Sequence, residues 1–270
     1  MGISTAMYIG VSGLNSFGNA MTVLSDNIAN SNTTGFKASE VRFGDLVSSF
    51  YVTQGIDNDR QGSGTSLLGI STDFSQGPTQ TTSVWSDVAI NGTGFLNVQL
   101  MPTAGTLTGS VYYTRDGSFH MDSDGYLVNS QGYAVLNSGG AAIQVEPTPA
   151  TPQYTNYTID SDGIIWATPI AGGTAVNRGQ LRITTFPNQD GLIRNGSNLF
   201  TLGPEAGTAV NGVANTTSTG AILSRAIEGS NVDIASEMVT MIVYQADFTA
   251  NSKSITVGDN MLNVVINLIQ

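Results

Sequence analysis

Cysteine is absent from the 270-residue chain. That excludes a disulfide framework, a thiol nucleophile and Cys-ligated zinc. Histidine occurs once, at His120. Ser–His catalysis or a His-based metal site would have to rest on that single ring. Its neighbours Phe119 and Met121 put it on one face of an alternating strand, a structural or exposed position rather than a catalytic one. Charge is scarce: Asp, Glu, Lys and Arg make up 11% of residues, less than half the usual share of about 25%. Nine scattered Lys and Arg face twenty Asp and Glu, for a net charge of −11. Without a basic cluster, nucleic acid and anionic membrane surfaces are poor partners. No apolar run reaches the roughly 18 residues of a membrane-spanning helix. Met1–Gly10 contains no Lys or Arg, so it lacks the n-region of a cleaved secretory leader.

What is present is an unusual distribution. A hydrophobic fraction of 40% gives a chain of this length enough material for a sizeable core. Its polar surface must be built from Ser, Thr, Asn, Gln and Gly. Such a surface suits packing against other chains, because few charges need desolvating, and it also suits extracellular proteins. Both ends carry apolar stripes at helical spacing. Near the C-terminus, Ile234, Met238, Met241, Gln245, Phe248, Ser252, Ile255, Asp259, Leu262, Ile266 and Ile269 alternate steps of four and three, the spacing of a coiled-coil seam. Near the N-terminus, Met7, Val11, Leu14, Gly18, Met21, Ser25 and Ile28 repeat the pattern. Two such helices can pair antiparallel within one molecule, with small and polar seam positions leaving room for helices of neighbouring copies. They can equally be ordinary helices packed on a β-domain.

The first helix is predicted from Ser4 to near Ala29, capped by Ser4 or Thr5. Its Gly10, Gly13 and Gly18 each cost about 1 kcal/mol relative to Ala, so it depends on packing. Asn30 to Gly35 ends it. Residues 36–73 read as a partly extended connector whose Phe36, Val41, Phe43, Leu46, Val47, Phe50 and Tyr51 cover something, such as the base of the helix pair. From 74 to 202 short β-rich runs alternate with turn signals. Among them are Asn91-Gly92, Asp116-Gly117 and an internal echo, Asp122-Ser123-Asp124-Gly125 and Asp160-Ser161-Asp162-Gly163. Pro147, Pro149 and Pro152 mark a loop. Residues 203–227 form a second connector. Asn231 or Asp233 caps the last helix, with Glu237 near its first turn. The expected fold is α+β: a discontinuous helical coiled-coil domain, 1–35 with 228–270; connectors, 36–73 with 203–227; and a central all-β domain, 74–202.

The two Asp-Ser-Asp-Gly segments share the opening of a calcium loop, but no third acidic ligand and no closing Glu follow. They read as β-turns. Gly92-Thr93-Gly94 lacks the Lys and helix of a phosphate loop. No constellation supports an enzyme, and no cofactor or metal is called for.

Asn27-Ile28-Ala29-Asn30-Ser31-Asn32-Thr33-Thr34-Gly35-Phe36-Lys37 closely resembles the signature of bacterial flagellar rod and hook axial proteins. Gly13-Leu14-Asn15 and Phe43-Gly44-Asp45-Leu46 match too. So do Asp73 to Gly77, Asp87 to Phe95, Tyr113 to Phe119, Leu127 to Asn129, Glu228 to Asp233, Met241-Ile242 and Ala250-Asn251-Ser252-Lys253. The family motif residues are Asn27, Asn30, Gly35, Phe36, Asn231 and Asn251. The family's usual Arg after Gln245 is replaced by Ala246-Asp247.

The resemblance implies an inner helical domain, an outer β-domain and many copies in a helical tube around an export channel. It implies delivery by the flagellar type III export apparatus without a cleaved leader, and adjoining rod, cap or junction proteins as partners. The self-assembly face would comprise Met7, Val11, Leu14, Met21, Ile28, Ile234, Met238, Met241, Phe248, Ile255 and Leu262. Asp73 to Gly77 and Asn231-Val232-Asp233 look hook-like, which favours the hook at the cell exterior. The length suits a distal rod protein of the basal body as well. Two other classes compete on composition alone, a secreted β-rich adhesin or fibre and a carbohydrate-active enzyme on a β-scaffold. The first does not account for paired terminal seams, and the shortage of plausible catalytic constellations speaks against the second.

Overall fold

The fold is α+β, an N-terminal helix, a β-rich middle and a C-terminal helix. The computed structural model describes residues 2–47, 62–147, 149, 151–216 and 218–269. Phe50 and Tyr51, read above as covering residues, lie outside the described residues. The chain divides into two compact units: Met1–Ser31 with Ala38–Asp73 and Val232–Gln270, and Asn32–Lys37 with Phe74–Asn231.

The first unit holds α1 (Gly2–Ala29) and α2 (Ile234–Ile269). They run antiparallel: Gly10 meets Ile255 near one end, and Asn27 bonds Glu237 near the other. Close approach explains the glycines. A Cβ on Gly10 would lie 2.9 Å from Ile255 Cγ1, and one on Gly13 would lie 2.8 Å from the Asn251 side chain. The helix-propensity cost of both is thus offset by backbone proximity. Gly18 meets no such neighbour.

Residues of the first predicted connector form a hairpin, β1 (Ser39–Val47) and β2 (Gly62–Thr72), in antiparallel register from Ser39 opposite Thr72 to Val47 opposite Gly62. It lies on α1, where Ser12 Oγ accepts from the Thr65 amide at 3.3 Å and Ser16 Oγ donates to the Thr65 carbonyl at 3.2 Å. Phe17, Phe43 and Tyr244 bring one ring each from α1, β1 and α2, with centroids 5.5 to 5.9 Å apart.

Three local expectations need correction. Helix α1 starts at Gly2, so Ser4 and Thr5 lie inside it rather than at its N-cap; a cap preference of about 1 kcal/mol does not stop a helix that packing extends. The buried row of α1 is Gly10, Gly13, Ser16, Ala20, Leu24 and Asn27. It sits one residue, about 100° of rotation, from the apolar row expected. In α2, Met241, Ile255 and Leu262 keep partly covered positions, but Glu237, Tyr244, Asp247, Asn251 and Gly258 are covered in place of Met238, Gln245, Phe248, Ser252 and Asp259. The physical reason is that the polar Gln245, Ser252 and Asp259 stay hydrated, while Tyr244 finds two aromatic partners and Asn251 fits against Gly13.

The second unit is antiparallel β throughout its named strand pairs. Strand Phe95–Thr103 is its centre, pairing with Thr106–Thr114, Tyr133–Val135 and Arg182–Thr185. Its first four residues are buried on both faces. Leu96 and Val98 enter the larger core with Ile90, Leu127, Ile143, Ile165 and Leu181. Phe95 points into a smaller aromatic core with Tyr113, Phe186 and Phe200.

Both Asp-Ser-Asp-Gly echoes fold into the same turn. Gly125 donates to the Asp122 carbonyl at 2.9 Å, and Gly163 to that of Asp160 at 2.9 Å. Each Gly has φ near +75° (78 and 75), the position that closes a three-residue hairpin loop. The second predicted connector also carries structure, strands Val210–Val213 and Ala221–Ser224. His120 is exposed on a two-residue strand.

Candidate functional site

Three features, two in the first unit and one in the second, concentrate the unusual chemistry. The first is the outer face of α2. Met238, Val239, Ile242, Val243, Val257 and Met261 are exposed at 41 to 65%. Val264, Val265, Ile266 and Leu268 continue the apolar surface to the helix end. The charges on the helix are too few to break it up. An apolar surface of this length on a helix is normally covered. The helix begins where Asp233 caps it, its carboxylate accepting from the Ala235 amide at 3.0 Å. Asn231, the other expected cap, donates to Ser75 Oγ at 3.0 Å instead.

The second is a clip at the far end of α1. Asn27 is fully buried. Its Nδ2 donates to the Ser39 carbonyl at 2.9 Å and to Glu237 Oε1 at 3.2 Å, and its Oδ1 accepts from the Ser39 amide at 2.8 Å. One amide thereby ties α1, β1 and α2. Gln would place the amide one methylene further out, so Asn is required here. Glu237 Oε2 is buried without a hydrogen-bond partner. Burial pushes the Glu237 carboxyl above the ordinary range; the Asn27 bond opposes this, and Glu40 and Asp233 add to it.

The third lies in the second unit, around segment 32–37. Gly35 adopts φ +65° and its amide donates to the Glu228 carbonyl at 2.8 Å. A Cβ there would stand 2.4 Å from the Asp116 nitrogen, so only Gly fits. Phe36 is buried beneath the Arg194 guanidinium, 5.0 Å from the ring centre, and Arg194 also donates to the Lys37 carbonyl. Lys37 is 1% exposed and Glu228 is fully buried.

Lys37 Nζ donates to Glu228 Oε1 at 2.6 Å and to the Ser75 carbonyl at 2.6 Å. Glu228 Oε1 also accepts from the Gly77 amide at 3.0 Å, and its Oε2 from Arg115 at 3.2 Å. Arg115 reaches the Gly92 carbonyl at 2.9 Å and lies over the Phe95 ring. Burial pulls its guanidinium below the ordinary value, and Glu228 pulls it back. Two cations thus share one carboxylate out of water, an arrangement that holds only while every member is present.

The expected motif residues fall into these features unevenly. Asn27 makes the clip, Gly35 and Phe36 build the buried cluster, and Asn231 fastens onto Ser75. Asn30 does local work, bonding Asp26 at the end of α1. Asn251 donates to the Asp247 carbonyl and fills the space against Gly13. Of the expected assembly face, Val11, Ile234, Met238 and Phe248 are exposed; Met7, Leu14, Met21, Ile28, Met241, Ile255 and Leu262 are half-buried. No spacing or periodicity in the sequence marks Lys37, Arg115 and Glu228 as a cluster. Their signal is different: a chain with so few charges places all three inside its motif blocks.

One unit is an antiparallel pair of terminal helices with an exposed apolar face, the other an antiparallel β-unit, and each holds a motif-dense lock of its own, the features of a structural subunit. Comparison with known families agrees. Residues 7–37 match the family described as flagella basal body rod protein, 89–167 the flagellar hook protein FlgE/F/G D1 domain, and 223–268 the flagellar basal body rod FlgEFG protein C-terminal family. The chain is 39% identical to the flagellar basal-body rod protein FlgG of Bacillus subtilis over 97% of its length and 98% of the relative's. It is 34% identical to FlgG of Borreliella burgdorferi, again over 97% and 98%. The flagellar hook-basal body complex protein FlhP of Bacillus subtilis is 28% identical over 93% and 94%. The chain belongs to the flagellar rod and hook axial protein family, a family of structural proteins.

Proposed function

We propose that this chain is a subunit of the flagellar rod, self-assembling through its terminal helices, rather than of the hook. The observation that carries the rod reading is end-to-end similarity to relatives named basal-body rod protein, over 97% of this chain with 98% of the relative covered. The hook-like residues weigh little against it. Ser75 and Gly77 are engaged by Lys37 and Glu228, and Asn231 by Ser75, so both segments serve internal contacts of the second unit.

On this reading the helical domain lies inward and the β-domain outward. The exposed row of α2, together with Val11, Ile234, Met238 and Phe248, meets other copies. Neighbours along the axis are further rod or hook proteins, and the chain reaches its place through the flagellar export apparatus. No enzymatic role is proposed. Electron microscopy of the purified polymer tests the assignment: a short straight tube is expected, and a long curved tube would restore the hook.

A further inference from the structure

Glu237 is placed unlike any other carboxylate among the described residues. It projects from the first turn of α2 into a cavity of about 290 Å³ lined by Leu24 of α1, Ser39 and Glu40 of β1, and Ser236, Thr240 and Tyr244 of α2. Its Oε1 is held by Asn27, and its Oε2 is buried without a hydrogen-bond partner. The charged groups acting on it from the surrounding elements are acidic: Glu40 from β1 and Asp233 from the segment preceding α2. α1 contributes Asn27, which is uncharged. Tyr244, two turns further along α2, has its own phenol pushed up by burial, with Glu237 and Asp247 adding to it. A buried carboxylate oxygen without a hydrogen-bond partner, beside two further acids, is more costly when ionised than when neutral.

We propose that Glu237 is a proton-sensitive latch that tightens the joint of α1, β1 and α2 when it becomes neutral. The proton adds to Oε2, the unbonded oxygen, and leaves the Asn27 bond to Oε1 in place. Repulsion from Glu40 and Asp233 then disappears, and the acid no longer needs a counter-ion that the cavity does not supply.

The sign follows from linkage. The folded state takes up this proton at a higher pH than the unfolded chain, whose value is 4.5. The joint is therefore weakest above the folded-state value. It strengthens as pH falls through that value, and the gain is complete below 4.5. The latch rests on the rod reading only for its consequence, that helix ends competent for assembly are better ordered at lower pH.

Amide hydrogen exchange on the full-length monomer, corrected for the intrinsic effect of pH, reads the joint without requiring polymer. Protection of residues 20–28, 39–43 and 235–244, relative to the core strand, is expected to rise on lowering pH from 8 to 4.5. In Glu237→Gln it should stay high and flat across that range. In Glu40→Gln the rise should begin at a lower pH and be smaller, because a like charge has been removed. Protection of the core strand 95–98 is the internal reference. The same pH slope in Glu237→Gln as in the parent would overturn the latch. So would no slope in the parent, including the case where these segments are unprotected at every pH. Neither outcome bears on whether the chain forms straight tubes.

Discussion

Glu228 is the residue on which the second unit turns. It accepts from Lys37, Gly77 and Arg115, and its own carbonyl accepts from Gly35. Glu228→Gln keeps the shape but leaves Lys37 and Arg115 buried without a countercharge. Breaking a buried pair in this way costs about 3–5 kcal/mol. The urea midpoint of the β-unit should fall accordingly, and Lys37→Met in the same chain should recover part of the loss by removing one stranded cation. A double variant no more stable than Glu228→Gln would show that the two charges are not coupled. Gly35→Ala tests the same region through the backbone. It combines a left-handed φ with a clash against the Asp116 backbone. A loss of about 2 kcal/mol or more is expected in the same denaturation experiment.

The element that decides behaviour is α2, 36 residues long and covered on one face only. Val239 and Ile242 are 62% and 65% exposed. Their replacement by Asp removes nothing from the monomer's interior, so stability should change by less than about 0.5 kcal/mol. Assembly should nevertheless fail, because burying those positions between copies would strand an unpaired charge. Sedimentation of polymer against monomer, beside a thermal melt, separates the two effects. Normal polymer from both variants would remove this face from the interface. Met241→Asp differs, since its position is half-covered within the chain, and it should weaken the monomer's helix pair as well.

At the scale of the molecule, segment 32–37 belongs with the β-unit although it lies next to α1 in sequence. A fragment spanning 32–231 should therefore fold cooperatively. One spanning 74–231 lacks Phe36 and Lys37, leaves Glu228 without its lysine, and should melt at least several degrees lower. Equal melting temperatures would show the docked segment to be ornamental. Hydrogen exchange on the intact monomer is expected to find the strands around 95–98 better protected than the distal half of α2, where little apolar surface is covered.

Much of this protein is legible in its chain. The periodicity of the two ends specified helices, because 3.6-residue repeats admit little else. Turn chemistry specified the two Asp-Ser-Asp-Gly hairpins, because Gly at a left-handed position is a local demand met by local residues. The motif blocks specified the family. Three decisions belonged to tertiary structure alone. Which face of each helix turns inward depended on where the partner's glycines and aromatic rings lay. Gly10 and Gly13 admit Ile255 and Asn251, and Phe17 and Phe43 receive Tyr244, so the covered row shifted from the apolar row by one residue in α1 and at several positions in α2. The hairpin 39–47 with 62–72 carries too little alternation to announce itself, and owes its place to α1. The joining of Lys37, Arg115 and Glu228, 78 or more positions apart in sequence, followed from the antiparallel path of the β-unit. A one-dimensional pattern records which side chains want burial; only the folded chain determines which of them meet.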